Sequence, residues 1–264
     1  MNWLEALILG IIQGIAEFLP ISSSGHLVIG RELLGLGATD NIVFETVVHC
    51  GTVLSTITIL RKDIMQLFIK LFKFEWNEET QYIAKIFLSM LPVMVVGLFF
   101  KDQVEALFGE GILLVGIMLL VTATLLALTH FVKFKQRKNV GWGSSFIIGV
   151  AQAVAVLPGL SRSGSTIATG LLLGVKKEEV AKFSFLMVLI PILGETFLGA
   201  MGGDFSAAAS GIPTISLIIG FLASYIVGCF ACKWMIELVK RTNLIWFAVY
   251  CTIAGIVAII TAIL

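Results

Sequence analysis

Gln13-Gly-Ile-Ala-Glu17-Phe-Leu-Pro20-Ile-Ser22-Ser23-Ser24-Gly25-His26 is the stretch on which the fold turns. It sets an amide, a carboxylate, three hydroxyls and an imidazole around a proline, with apolar sequence on both sides. Such groups are costly in hydrocarbon, and an intramembrane cluster of them marks a functional site. The apolar run before Pro20 and the one from Leu27 to Arg31 are each too short to cross a bilayer, which takes about 20 residues. Two half-helices around a polar elbow make a re-entrant hairpin, tolerated at depth where protein or a wet cavity surrounds it. Gln13 and Glu17, four apart, share one face of the first half-helix. Pro20 and Gly25 bend the chain so that Ser22, Ser23 and Ser24 present hydroxyls at the elbow, and His26 opens the next half-helix.

The rest of the chain is of the same kind. Of 264 residues, 58% are apolar and 13% charged, about half the ~25% charged residues of soluble domains. The composition gives an all-α polytopic membrane protein with no soluble domain. A net charge of +1 offers no electrostatic footprint for nucleic acid, and none is expected as a partner. The four cysteines lie in apolar segments; Cys229-x-x-Cys232 has no histidine or aspartate nearby and reads as helix surface. Met1-Asn-Trp-Leu-Glu5 carries an acid and no basic region, so no cleaved signal peptide is read. Spans are expected at about 42–60, 84–100 and 111–131, with the amphipathic linker 61–83 along the interface.

The second half repeats the scheme. Residues 144–175 form two short apolar pieces around Pro158-Gly-Leu-Ser161-Arg162-Ser163-Gly164-Ser165-Thr166, and spans follow at about 180–200, 213–232 and 244–264. A shift of 139 residues lays Gly10, Gln13, Ser22, Ser24, Gly25 and Gly35 on Gly149, Gln152, Ser161, Ser163, Gly164 and Gly174 without a gap. An internal duplication follows: one membrane domain, 1–264, with repeat one at 1–138 and repeat two at 139–264. Each repeat holds one re-entrant helical hairpin and three transmembrane helices. That odd number of crossings inverts the second repeat. With linker 61–83 on the cytoplasmic side, so are 132–143, 176–182 and 233–243, and these hold fourteen Lys and Arg against only Arg31 and Lys101 on the other side. This positive-inside bias puts the first hairpin's mouth outside and the second's in the cytoplasm. Inverted repeats with broken helices meeting near the midplane are an architecture of secondary transporters, so a lipid-phosphate flippase or transporter is the alternative reading.

The two elbows carry complementary chemistry. Arg162 is the one cation in the apolar stretches of either hairpin, and its fork suits phosphate or carboxylate. Ser161, Ser163 and Thr166, with Ser22 and Ser24 from the first elbow, complete a phosphate cradle, with helix N-termini behind each elbow adding backbone donors. A serine with His26 makes a nucleophile–base pair, with His26 itself as nucleophile, forming a phosphohistidine, the rival arrangement; Glu17 with Gln13 can orient the histidine or hold a divalent cation. This is an inventory for phosphoryl transfer at membrane depth, with a lipid-linked phosphate as substrate. The carrier reading has no need of a serine, histidine and carboxylate together. The plainer readings are that the hydroxyls satisfy freed carbonyls and that Glu17 bridges Arg162 structurally. His49 and His130, near span ends without acidic neighbours, read as interfacial or packing residues, and Glu45 as a polar contact within the bundle.

Gln13-x-x-x-Glu17, Phe18-Leu-Pro-Ile-Ser-Ser-Ser-Gly-His26 and Leu157-Pro-Gly-Leu-Ser-Arg-Ser-Gly-Ser-Thr166 together resemble the undecaprenyl-diphosphate phosphatase family, also called bacitracin-resistance proteins. The likeness covers the whole chain in length and span pattern. It implies removal of the terminal phosphate from the C55 isoprenyl diphosphate, which regenerates the lipid carrier of bacterial cell-wall synthesis and gives bacitracin resistance. It also implies a divalent cation, Mg2+ or Ca2+, a multi-pass place in the bacterial cell (inner) membrane, Ser23 as catalytic serine beside His26 and Glu17, and Arg162 on the phosphate. The active site is expected to open toward the outer face, where this lipid diphosphate is released. Membrane enzymes of this size often pair, so a homodimer is a further expectation. The family often carries Tyr-Arg in the last span where this chain has Tyr250-Cys251.

Overall fold

The computed structural model describes residues 1–36, 42–108, 111–132, 139–202 and 211–263, so the basic run 133–138 lies outside the described residues. Every regular element among the described residues is an α-helix. The first hairpin is α1 (Trp3–Ala16) and α2 (Ser23–Leu33). Asn2 caps α1 by a reciprocal box with Glu5, which satisfies first-turn N–H groups. Next come α3 (Ile42–Ile59), α4 (Arg61–Leu71), α5 (Glu78–Phe99), α6 (Lys101–Phe108) and α7 (Ile112–Phe131). The second hairpin is α8 (Trp142–Val154) and α9 (Arg162–Leu172), followed by α10 (Lys177–Met187), α11 (Leu189–Gly202), α12 (Thr214–Arg241) and α13 (Ile245–Ile263).

Among the described residues four helices, α5, α7, α12 and α13, are long and apolar enough to cross a membrane; the bent pair α3 and α4 makes a fifth if taken as one span. The two run at 76° to each other. That turn lets the amphipathic α4, none of whose residues is buried, lie across the end of the bundle. The span expected at 180–200 is instead two helices broken at Val188. Pro191 explains the break: it supplies no N–H and its ring crowds the carbonyl of Met187, four residues back.

In lipid, helices associate through close packing rather than by expelling water, so small residues mark the seams. A Cβ on Gly10 of α1 would lie 2.6 Å from the Gly220 carbonyl of α12, and one on Gly116 of α7 2.9 Å from the Gly255 carbonyl of α13. Gly149 of α8 is tighter, with a Cβ 2.2 Å from the Ser89 carbonyl of α5. These seams bring each hairpin against the span it needs. The elbow's apolar residues Phe18, Leu19 and Ile21 are buried in the main core, where Phe18 meets Phe185 edge-to-face at 5.3 Å. They peg the elbow in place, and truncating Phe18 to Ala is expected to cost about 3–5 kcal/mol.

Candidate active site

Ser22 makes the sharp bend of the first elbow at φ 72°, in the left-handed region a non-glycine residue avoids. Strain of this kind persists only where the surroundings over-determine it. Here the Ser22 hydroxyl accepts from the Gly25 N–H (3.2 Å), capping α2, and the Ser22 carbonyl accepts from the His26 backbone N–H (3.1 Å) and is 2.8 Å from His26 Nδ1. A carbonyl can only accept, so Nδ1 carries a proton and the neutral ring leaves its lone pair on Nε2. That nitrogen meets the Tyr250 hydroxyl of α13 at 2.7 Å.

The second elbow is built alike. Ser161 caps α9 by accepting from the Gly164 N–H (3.0 Å), and its own N–H donates to Thr122 Oγ1 of α7 (3.0 Å). Gly159 has φ 89°, and a Cβ there would lie 2.7 Å from the backbone of Val115. Only glycine lets this elbow sit on α7.

The elbows meet. The Arg162 guanidinium donates to Glu17 Oε1, Ser163 Oγ donates to the Leu19 carbonyl at 3.0 Å, and the Gly159 N–H donates to Ser24 Oγ at 3.4 Å. Glu17 is the hub. Its other oxygen, Oε2, accepts from Ser23 Oγ at 2.8 Å and from Gln13 Nε2 at 3.0 Å, while His49 Nε2 of α3 stands 3.5 Å away. The carboxylate is almost wholly buried and Arg162 mostly so, at 5% and 22% side-chain exposure. A buried ion pair of this kind is held by its surrounding hydrogen bonds as much as by charge.

Ser23 and His26, which the sequence suggests as a nucleophile–base pair, do not hydrogen-bond to each other here. The Ser23 hydroxyl is committed to Glu17, and both ring nitrogens of His26 are engaged elsewhere, by Ser22 and Tyr250. The cradle also divides. Ser22, Ser161, Ser163 and Thr166 are buried and bond inward; Thr166, for example, donates to the Arg162 carbonyl (2.9 Å) and meets Ser184 Oγ (2.6 Å). They shape the elbows. Ser23, Ser24 and His26 remain partly exposed in the first turn of α2, as does Arg162 at the start of α9, where the helix dipole favours an anion.

Three contributors escape the sequence reading. His49, read as a packing residue, faces Glu17. Tyr250 holds His26, and Cys251 meets the Pro20 carbonyl at 3.6 Å, bracing the elbow from the last span. The signal for His49 was present: Glu45, His49, Thr52 and Thr56 fall four, three and four apart, a polar stripe on one face of an apolar helix. Thr52 and Thr56 line the same small cleft as Glu17 and Arg162. For Tyr250, 224 residues from His26, nothing local could point the way.

A resident divalent cation at Glu17 and Gln13 does not fit this donor set. The Glu17 oxygens already face Arg162, Ser23 and Gln13 as donors, which leaves Gln13 Oε1 as the buried acceptor there without a partner. Among the described residues no three His, Cys, Asp or Glu side chains are grouped to hold a metal.

The family model of the bacitracin resistance protein BacA matches residues 6–257. Undecaprenyl-diphosphatases of Bacteroides fragilis and Bacteroides thetaiotaomicron are 57% and 56% identical to this chain, each over 99% of both proteins. The undecaprenyl-diphosphatase of Methanosphaera stadtmanae is 37% identical over the full chain and 99% of its own length. With a motif-bearing hairpin in each half and a match over nearly every residue, the chain belongs to the BacA bacitracin resistance protein family.

Proposed function

We propose that this protein hydrolyses undecaprenyl diphosphate to undecaprenyl phosphate and inorganic phosphate through a serine activated by Glu17. One observation carries the residue-level reading: a single buried carboxylate accepts from the Ser23 hydroxyl on one oxygen and from the Arg162 guanidinium on the other, donors that come from opposite hairpins. Arg162 and Ser24 bind the terminal phosphate. Ser23 Oγ attacks its phosphorus as Glu17 Oε2 takes the serine proton, and the bond to the bridging oxygen breaks, releasing undecaprenyl phosphate. His26 Nε2, once Tyr250 yields it, takes a proton from water. The resulting hydroxide attacks the phosphoserine, and Ser23 leaves with the proton returned by Glu17. Placement and charge neutralisation carry most of such a reaction. The divalent cation arrives on the diphosphate as part of the substrate, where it offsets phosphate charge.

The inverted repeat is part of the same proposal. It is supported by matching contacts at the 139-residue shift: α1 packs on α12 and α8 on α5. The charge bias supports a site open to the outer face of the inner membrane. A carrier alone has no use for the Ser23–Glu17 contact. Phosphate release from a C55 isoprenyl diphosphate by purified protein in detergent, where transport has no meaning, tests the reading. Wild type releases phosphate and Ser23→Ala, His26→Ala and Arg162→Ala lose at least a hundredfold; inert wild type refutes the activity, and fully active variants refute the site.

A further inference from the structure

We propose that His49 is a positioning residue of the active site, one that fixes the Glu17 carboxylate with Oε2 on the Ser23 hydroxyl. The inference rests on the phosphatase reading above and adds to it a helix, α3, that carries none of the elbow motifs.

The geometry is a chain of fixed groups. His49 Nδ1 lies 2.7 Å from the Glu45 carbonyl one turn earlier. That carbonyl accepts, so Nδ1–H donates and the ring cannot turn without losing the bond. Nε2 is then the atom aimed at Glu17, 3.5 Å from Oε2, and with both ring nitrogens protonated it presents its N–H to that oxygen. The helix carrying the ring is itself clipped to the hairpin: Glu45 Oε1 pairs with Arg31 Nη1 of α2 at 2.6 Å. Glu45 and His49 thus span from the second half-helix of the elbow to the end of the first. Below them, Thr52 and Thr56 continue the same face into the cleft with Glu17 and Arg162, and both spend their hydroxyls on α3 carbonyls. His49 alone of this lower face reaches the carboxylate.

The consequence is specific to the chemical step. Arg162 holds Oε1 and Ser23 shares Oε2 with Gln13. When Ser23 attacks phosphorus, its hydrogen bond to Oε2 becomes a proton transfer, and the carboxylate must keep that oxygen in place as the serine moves off. Gln13 is on the same half-helix as Glu17 and moves with it; His49 is anchored on a different helix and supplies an outside reference. Sub-ångström misplacement of a reacting group is enough to cost large factors in rate. Losing His49 therefore lowers kcat and leaves substrate binding, which rests on Arg162 and Ser24, nearly intact.

The replacements that separate this from plain packing are Gln, Asn and Phe. A glutamine places its amide nitrogen near the position of Nε2, an asparagine only near Nδ1, and a phenylalanine keeps the ring without a polar atom. Purified wild type, His49→Gln, His49→Asn and His49→Phe are compared for phosphate release from C55 isoprenyl diphosphate. Affinity for a non-hydrolysable isoprenyl methylenediphosphonate and Tm are measured on the same samples. The expected result is a kcat lowered at least tenfold in the Asn and Phe variants, recovered to within about threefold of wild type by Gln, with KM and analogue affinity within threefold throughout. Asn or Phe variants that keep the wild-type kcat overturn the proposal, as does a Gln variant no better than Asn, or a loss of analogue affinity equal to the loss in kcat. Should Phe not fold, the Gln–Asn contrast decides. An inert wild type refutes the phosphatase reading itself, whereas an active wild type with indifferent variants refutes only the role of His49.

Discussion

Glu17→Gln separates the electrostatic role of the hub from its shape. The substitution keeps the size of the side chain and removes its charge. Arg162 is then left in a mostly buried place with no anionic partner. The new amide turns its oxygen to Arg162 and its N–H groups to the Ser23 hydroxyl and, after a flip of the Gln13 amide, to Gln13 Oε1, so the charge is what is lost. Breaking a buried ion pair from one side costs about 3–5 kcal/mol. At ~2–4 °C per kcal/mol for a chain of this size, Tm in detergent falls by roughly 6–20 °C. Arg162→Gln falls by a similar amount. The double variant Glu17→Gln/Arg162→Gln carries no orphan charge, so it loses less than the two single losses combined, with a coupling toward the upper end of the ~0.5–3 kcal/mol seen for contacting residues. Phosphate release is lost in all three: the two variants without Glu17 lack the base, a loss on the order of 10²–10⁴-fold, and Arg162→Gln lacks the phosphate-binding guanidinium. Thermal unfolding of the four proteins, scored together with phosphate release, is the assay. Single losses that simply add, or a Glu17→Gln protein as stable as wild type, refute the claim that this pair joins the hairpins.

Further outcomes follow from the same geometry. Gly149→Ala drives a Cβ against the Ser89 carbonyl; overpacking of this sort costs about 1–3 kcal/mol, read as a lowered Tm, whereas Gly97→Ala, with open space around it, leaves Tm unchanged. Tyr250→Phe removes the hydrogen bond that must break before His26 Nε2 can take a proton from water, worth about 0.5–1.5 kcal/mol, so kcat does not fall and rises by up to roughly tenfold, with KM unchanged in steady-state assays. With no cluster of ligands for it among the described residues, Mg2+ alone is expected to give no heat of binding to the protein at micromolar concentration in calorimetry, with activity instead following the concentration of the cation–diphosphate complex.

How much of this was legible in the sequence depends on the range of the contact. The hairpins were readable because Gln13, Glu17, His26 and Arg162 are too polar for their apolar surroundings, and the 139-residue shift tied the two stretches to each other. The partner of Ser23 was not readable. It depends on the left-handed turn at Ser22, which a serine rarely adopts and no pattern announces. The single span expected at 180–200 was broken by a proline in plain view, Pro191, whose effect on the preceding turn outweighed the apolar run around it. His49 was passed over because a lone histidine in a span is usually packing; only the Glu45–His49–Thr52–Thr56 periodicity set it apart. Tyr250 and Cys251 reach the first elbow from the last helix, a contact fixed by packing of the whole bundle.

The central claim is that Ser23, activated by Glu17, takes the phosphate before water does. His26→Gln slows the water step and leaves the serine step in place, so the phosphoenzyme accumulates. Rapid quench of His26→Gln and wild type with C55 isoprenyl diphosphate into denaturing detergent at neutral pH, which preserves both phosphoserine and phosphohistidine, followed by peptide mass spectrometry, reads it directly. The account predicts phosphate on Ser23 approaching one per chain, with undecaprenyl phosphate released in equal amount. Phosphate found on His26 in the wild type, or turnover by His26→Gln with Ser23 never labelled, contradicts it.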